Sequence, residues 1–277
     1  MEKAGMERAL LSLELARRIE FAEAQAAVSC AETMKELGAA TESAVERVCG
    51  GFAVYCGANT PVTQAVGLGL DGAVSSEDLD RLEEFYFSRK ETVRVETCPM
   101  ADASLFALFG QRGYRVTEFS NVMVRPVSAA EEFAATDGVA IRVAGREELD
   151  LWTLTVAQGF AEHFPVTQEI LSVMKMFSLA HGTECYLARI AGRVVGGATV
   201  ALRGNIAGLF GASTLPEFRR RGVQTALLHA RLRRAAETGC DLAVSLAQPG
   251  SASNRNIARR GFETLYTRVK FERELKS

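Results

Sequence analysis

The feature that most restricts the fold of this chain is that it repeats itself. Val48-Cys-Gly-Gly-Phe-Ala-Val54 resembles Val194-Val-Gly-Gly-Ala-Thr-Val200, an offset of 146 residues. Arg112-Gly-Tyr114, ahead of a strand-like run, matches Arg260-Gly-Phe262 ahead of another, an offset of 148. Between them Val66-Gly-Leu68 resembles Ala207-Gly-Leu209, an offset of 141. The three pairs keep one order and similar spacings, so the chain reads as two related halves. At 277 residues each half has enough chain to bury a core of its own.

Composition narrows the function classes. Hydrophobic residues make up 48%, and 32 basic side chains stand against 34 acidic ones, for a formal net charge of -2. Disorder needs the opposite balance, and a non-specific nucleic-acid binder needs a basic excess, so no nucleic-acid partner is expected. Six cysteines stand at 30, 49, 56, 98, 185 and 240, with no CxxC pair and only three histidines. That spacing predicts no metal site and mostly buried free thiols in a reducing compartment. Glu2, Glu7 and Glu14 interrupt the N-terminus, which is no signal peptide. The uncharged stretch Val48 to Leu70 contains Asn59, Pro61, Gln64 and several glycines, which fits strands around a turn rather than a membrane span. The expectation is a cytoplasmic protein without a membrane partner.

The second half alternates clearly between periods. A strand at 139–143 precedes helices at 146–158 and 168–180, the latter capped by Thr167. Three strands at 186–190, 194–202 and 206–214 form a meander. A helix at 222–237, a strand at 242–246, a short helix at 253–260 and a strand at 262–271 complete it. The first half gives a long helix at 6–37 and strands near 44–49, 51–56 and 64–70. A helix at 76–88, a strand at 92–97, a helix at 101–110 and a strand at 114–124 follow. From the meander onward the two orders agree. The segment 126–137, rich in Ala with Pro126, Ser128 and two Glu, reads as a linker between domains 1–125 and 138–277.

The sharpest chemical signal is Ala212-Ser-Thr-Leu-Pro216-Glu-Phe-Arg219-Arg-Arg-Gly222-Val-Gln224-Thr225. A strand ends, three arginines follow a proline-marked turn, and a glycine opens an amphipathic helix. The unpaired first-turn amides and the helix dipole favour an anion there, and arginines offer bidentate donors to phosphate. No Walker pattern and no GxGxxG occurs.

This stretch resembles the acyl-CoA pyrophosphate loop of the GNAT superfamily of N-acetyltransferases, whose pattern is Gln or Arg, two residues, Gly, one residue, then Gly or Ala. Arg219-Arg-Arg-Gly222-Val-Gln224 departs from it at the last position, where Gln224 must point away from the phosphates or contact them. The resemblance covers the second half and implies an α/β fold of two GNAT-like domains in tandem, each a mainly antiparallel mixed sheet flanked by helices. It implies acetyl-CoA as cosubstrate. Backbone groups of Ala212, Ser213 and Thr214 would pair with the pantetheine arm, and Arg219, Arg220, Arg221, Gly222, Val223, Gln224 and Thr225 would hold the pyrophosphate. Ser253 or Asn256 on the next helix would reach the cofactor, or Ser251 or Ser253 would merely cap that helix. The tyrosine that many members use as general acid is replaced here by Ile257, which leaves water or Tyr266. No carboxylate stands on the third or fourth strand, and the catalytic residues stay unknown, with His163 a weak candidate as base or acceptor contact.

The resemblance implies transfer of an acetyl group to an amine of a small molecule or peptide, by direct attack in a ternary complex. The alternative is a non-catalytic acyl-CoA sensor or an interaction scaffold. The first half has an acidic helix start, Glu77-Asp78-Leu-Asp80, where the second has arginines, so it reads as a degenerate half that lost the cofactor. Its role is a wall for the acceptor site or a structural one, and the helix at 6–37 serves equally as a homodimer surface.

Overall fold

The computed structural model describes residues 11–36, 42–162 and 165–275. Contacts divide the chain into two compact units, residues 1–126 with 246–277, and residues 127–245. The sequence places 246–277 with the second half. The structure groups it with the first, because its strand is hydrogen-bonded inside the first unit's sheet.

In the first unit a long helix α1 (Leu13–Glu36) leads to the hairpin β1 (Ala44–Val48) and β2 (Gly51–Tyr55), then β3 (Gln64–Val66). Helix α2 (Ser76–Phe87), strand β4 (Val93–Thr97), helix α3 (Ala103–Arg112) and strand β5 (Arg115–Pro126) follow. The expected helix 6–37 lies outside the described residues at 6–10 and at 37. Ser75 caps α2 in a reciprocal box with Asp78. On one face of the sheet Leu79, Leu82, Phe85, Leu105 and Phe109 bury the apolar stripes of α2 and α3 against Val93 and Val95. On the other, α1 packs across β1, β2 and β3 through small side chains such as Ala16, Ala24 and Ala27.

In the second unit β6 (Ala140–Val143) precedes a 3-10 turn and helices α4 (Leu149–Gly159) and α5 (Gln168–Leu179). The meander β7 (Thr183–Ile190), β8 (Arg193–Arg203) and β9 (Ile206–Thr214) leads into α6 (Val223–Glu237) and β10 (Leu242–Ala247). The chain then returns to the first unit with α7 (Ala252–Ala258) and β11 (Glu263–Arg273).

The first unit's strands run β1-β2-β3-β4-β11-β5 and the second's β10-β9-β8-β7-β6. Each unit holds an antiparallel meander whose third strand pairs in parallel with the next, β3 with β4 and β9 with β10. β11 lies antiparallel between β4 and β5. The two units therefore share an order of strand pairings, whose register differs from the sequence match. Both hairpin turns have two successive left-handed residues, Cys49 (φ 52) and Gly50 (φ 79) in the first, Ala191 (φ 48) and Gly192 (φ 79) in the second. That geometry suits the twist of a tight hairpin. The structural offset there is 142, whereas the Gly-Gly strings match a turn with the interior of a strand.

Five of the six thiols are buried, and Cys49 is half-buried in the first hairpin turn. None of the described helices is long and apolar enough to cross a membrane.

Candidate functional site

The second unit's sheet opens at one place. β9 and β10 pair from Ile206–Leu242 to Gly208–Val244, and β9 then continues alone along that edge to Thr214. Ser245 donates from its hydroxyl to the Leu209 carbonyl at 3.1 Å where the ladder stops. On β9's other edge the register with β8 jumps from Thr199↔Phe210 to Gly197↔Ser213. Gly211 and Ala212 thus stand opposite the single residue Ala198, a β-bulge that turns backbone groups out of the ladder. Gly211 takes the left-handed conformation the bulge needs, at φ 60.

Helix α4 braces this bulge. The fully buried Trp152 donates from Nε1 to the Ala198 carbonyl at 3.3 Å, and Ser213 donates from Oγ to the Val156 carbonyl at 3.0 Å. The approach is possible because β8 carries Gly197, where a Cβ would lie 2.8 Å from Val156 and 2.9 Å from Trp152 Nε1. Sequence reasoning missed Trp152. Its signal was the chain's lone tryptophan facing a Gly-Gly pair, legible only once α4 lies on β8.

The arginine loop follows at once. Pro216 opens a 3-10 turn over 216–218, Arg219 is extended, and Arg220 and Gly222 are left-handed at φ 62 and 78. Gly222 is the N-cap of α6 and makes no side-chain cap bond. Arg219 donates to the carbonyls of Thr214 at 3.4 Å and Gly159 at 3.2 Å and pairs with Glu162 at 2.5 Å. It therefore clamps the end of α4 to the loop rather than pointing out alone. The Arg221 guanidinium lies 5.5 Å above the Phe218 ring, and Arg220 is exposed. Val223 is buried in the helix interface, so only its backbone is available.

The departing residue, Gln224, turns back on β9 and donates from Nε2 to the Thr214 hydroxyl at 2.9 Å. Of the two orientations open from the sequence, this geometry is an internal tie. Linker residue Thr136 packs against the loop. A Cβ at Gly222 would lie 2.5 Å from its Cγ2, on a backbone that side chains rarely adopt. A valine at this position would strain the fold itself.

His163 lies outside the described residues. Ser253 and Asn256 stand exposed on α7, in the first unit, where Ser251 caps the helix and Asn256 accepts from Arg259 at 3.1 Å. Tyr266 is buried in the first unit and donates to Glu20 at 2.6 Å, and burial drives its pKa far up. It is a core side chain there. Cys185 is buried and its thiol is pushed up to about 12 by burial, which removes it as a nucleophile. Among the described residues no group of His, Cys, Asp and Glu is arranged to hold a metal.

A forked strand edge, a bulge at Gly211-Ala212 and the start of α6 thus follow one another along β9 and the loop after it. Residues 150–262 match the sequence model of the Acetyltransferase (GNAT) family. The family's general chemistry is acyl transfer. Among solved structures, a GCN5-related N-acetyltransferase from Kribbella flavida is similar with a TM-score of 0.66 at 17% identity, covering 95% of this chain and 96% of that one. A tandem GNAT protein from the clavulanic acid biosynthesis pathway has a TM-score of 0.59 at 14% identity, covering 96% and 98%. A conserved protein of unknown function from Staphylococcus epidermidis has a TM-score of 0.58 at 12% identity, covering 88% and 98%. Such identities establish the fold and nothing finer. A search of curated proteins found no match.

Proposed function

We propose that the second unit binds acetyl-CoA and transfers its acetyl group to a primary amine of a small molecule or peptide. The observation that carries this reading is the fork between β9 and β10. The bulged segment Ala212–Thr214 offers backbone donors and acceptors to the amide-rich pantetheine arm, and it runs directly into the Arg219–Thr225 loop, whose amides and arginines suit a pyrophosphate. The residues present fit the cofactor. When bound, acetyl-CoA supplies an activated thioester. The chain's own part is to position that thioester and to polarise it through fixed backbone donors near the bulge. Ser213 contributes through its backbone, since its hydroxyl is held by Val156. The first half, with acids at the start of α2, is read as a half that does not bind the cofactor.

Ile257 and the engagement of Tyr266 with Glu20 leave no tyrosine acid in the family's usual place, which favours water as the proton route, or a sensor that binds without turnover. The test is a thermal shift with acetyl-CoA and with CoA, on the wild type and on Arg220→Ala/Arg221→Ala, followed by CoA-thiol release with a panel of amines. A ligand at 100 times its dissociation constant stabilises by about 2.7 kcal/mol. A rise in the wild type that shrinks in the variant, followed by amine-dependent thiol release, is the expected result. A rise without release for any amine would leave the sensor reading. Absence of any rise would overturn the cofactor site.

A further inference from the structure

In the second unit Arg231 is buried without an opposite charge beside it among the described residues. It stands at 3% exposure in the stripe of α6 that also buries Leu227, Leu228, Leu232 and Ala235. Burial pulls its pKa down to about 10, with Tyr186 the opposing influence. A cation in such a stripe costs stability, and an apolar side chain of similar volume would suit the position better. A local rule broken in this way points to a role elsewhere in the molecule.

The contacts of the guanidinium show where. Nε donates to the Leu227 carbonyl one turn back at 3.1 Å, which fixes the side chain, and Nη1 donates to the Thr199 carbonyl of β8 at 3.0 Å. Thr199 pairs with Phe210 at the point where the register between β8 and β9 breaks, beside the bulge at Gly211-Ala212. The neighbouring β8 residue, Ala198, gives its carbonyl to Trp152 Nε1. The two braces come from opposite faces of the sheet. A Cβ at Gly197 would meet Trp152 and Val156 of α4, whereas one at Gly196 would lie 3.1 Å from Val223 of α6, and successive residues of a strand point to opposite faces. Two successive β8 carbonyls at the bulge are thus held, one by an indole from α4 and one by a guanidinium from α6.

We propose that Arg231 is a positioning residue for acyl transfer, holding the bulge from the α6 face so that its backbone donors keep the geometry the thioester needs. The role rests on the acyl-transfer reading, while the brace belongs to the protein without ligand. Arg231 follows the first residue of α6, Val223, by about 12 Å of helix axis at 1.5 Å per residue, so the pyrophosphate end does not depend on it.

The test compares the wild type, Arg231→Met and Arg231→Lys. Amide hydrogen exchange of the ligand-free protein over residues 210–214 should be about fivefold or more faster in Arg231→Met, and Arg231→Lys, which keeps a donor, should restore part of the protection. The urea midpoint of Arg231→Met should equal that of the wild type or exceed it. With an amine that the wild type acetylates, kcat should fall about tenfold or more in Arg231→Met while KM for acetyl-CoA stays within about twofold. An arginine that only ties helix to sheet would give the reverse, a lower midpoint with kcat unchanged, and that result would overturn the proposal. Should Arg231→Met not fold, Arg231→Lys is expected to show a smaller change of the same sign in exchange and in kcat, and no change in either would count equally against it. Unchanged exchange over 210–214 would remove the brace alone, whereas absence of transfer in the wild type would remove the acyl-transfer reading and this role with it.

Discussion

Gln224 Nε2 donates to Thr214 Oγ1 at 2.9 Å, joining the first turn of α6 to the last residue of β9. The residue that breaks the family pattern thus takes over a structural tie between strand end and loop. Gln224→Ala is expected to cost about 1 kcal/mol of stability, the ordinary worth of one part-buried hydrogen bond. Because the side chain leaves the loop amides alone, acetyl-CoA affinity should stay within about twofold. Urea unfolding and calorimetric titration read the two effects separately, and a large loss of affinity would place Gln224 on the ligand instead.

Under the acetyl-CoA reading, Glu162 competes with the pyrophosphate for Arg219. The pair is half-exposed, at 53% and 38%, so the bond itself contributes little to stability. Removing the acid charge leaves the guanidinium held by two carbonyls and aimed at the same loop. Glu162→Gln is expected to tighten acetyl-CoA binding by about threefold to tenfold with stability nearly unchanged. Weaker binding in this variant would show that the clamp, not the charge, is what the ligand needs.

Arg268 sits at 1% exposure between Glu20 at 2.8 Å and Glu96 at 3.3 Å. Burial disfavours its charge, and the surrounding acids, Glu20 first, more than restore it, so its pKa stands well above the ordinary value. Truncating the cation would strand two carboxylates inside the first unit. Arg268→Met should cost about 3–5 kcal/mol in urea unfolding. Glu20→Gln/Arg268→Met, which removes the pair together, should recover part of that loss.

The buried thiols set the alkaline limit. Burial pushes Cys56 and Cys185 up to about 12 and Cys98 up to about 11, from an ordinary 9.0. Unfolded chains release these protons near the ordinary value, while the folded protein keeps them. The contribution is complete below that value and is lost as pH rises from 9.0 toward about 12. Each thiol contributes a slope of up to about 1.4 kcal/mol per pH unit. Urea midpoints under reducing conditions should fall across this window, and Cys56→Ala should flatten the fall. A pH-independent midpoint would contradict the burial.

Local patterning made most of the elements legible. The described helices and strands lie within a few residues of their expected spans, because hydrophobic periodicity is a local signal. The proline-marked turn and the glycine at the start of α6 were legible for the same reason. Register and partnership were not. Gly50-Gly51 aligns by letter with Gly196-Gly197, yet the true counterpart of the first turn is Ala191-Gly192, which shares conformation and not identity. The spacing of β11 showed a strand but held no information on its neighbours, so its place between β4 and β5 could not be read. Nothing local tells that Glu20 and Arg268, 248 residues apart in sequence, meet in a core.

The position of β11 also sets an order of assembly. A ribosome releases β4 and β5 long before residues 263–273, so two strands that finally flank a third must wait with facing edges unfilled. All of the second unit is made before the first unit's sheet can close. The first unit, begun before the second, is finished after the second is made, and its earliest contacts must keep those edges from pairing with other chains in the meantime.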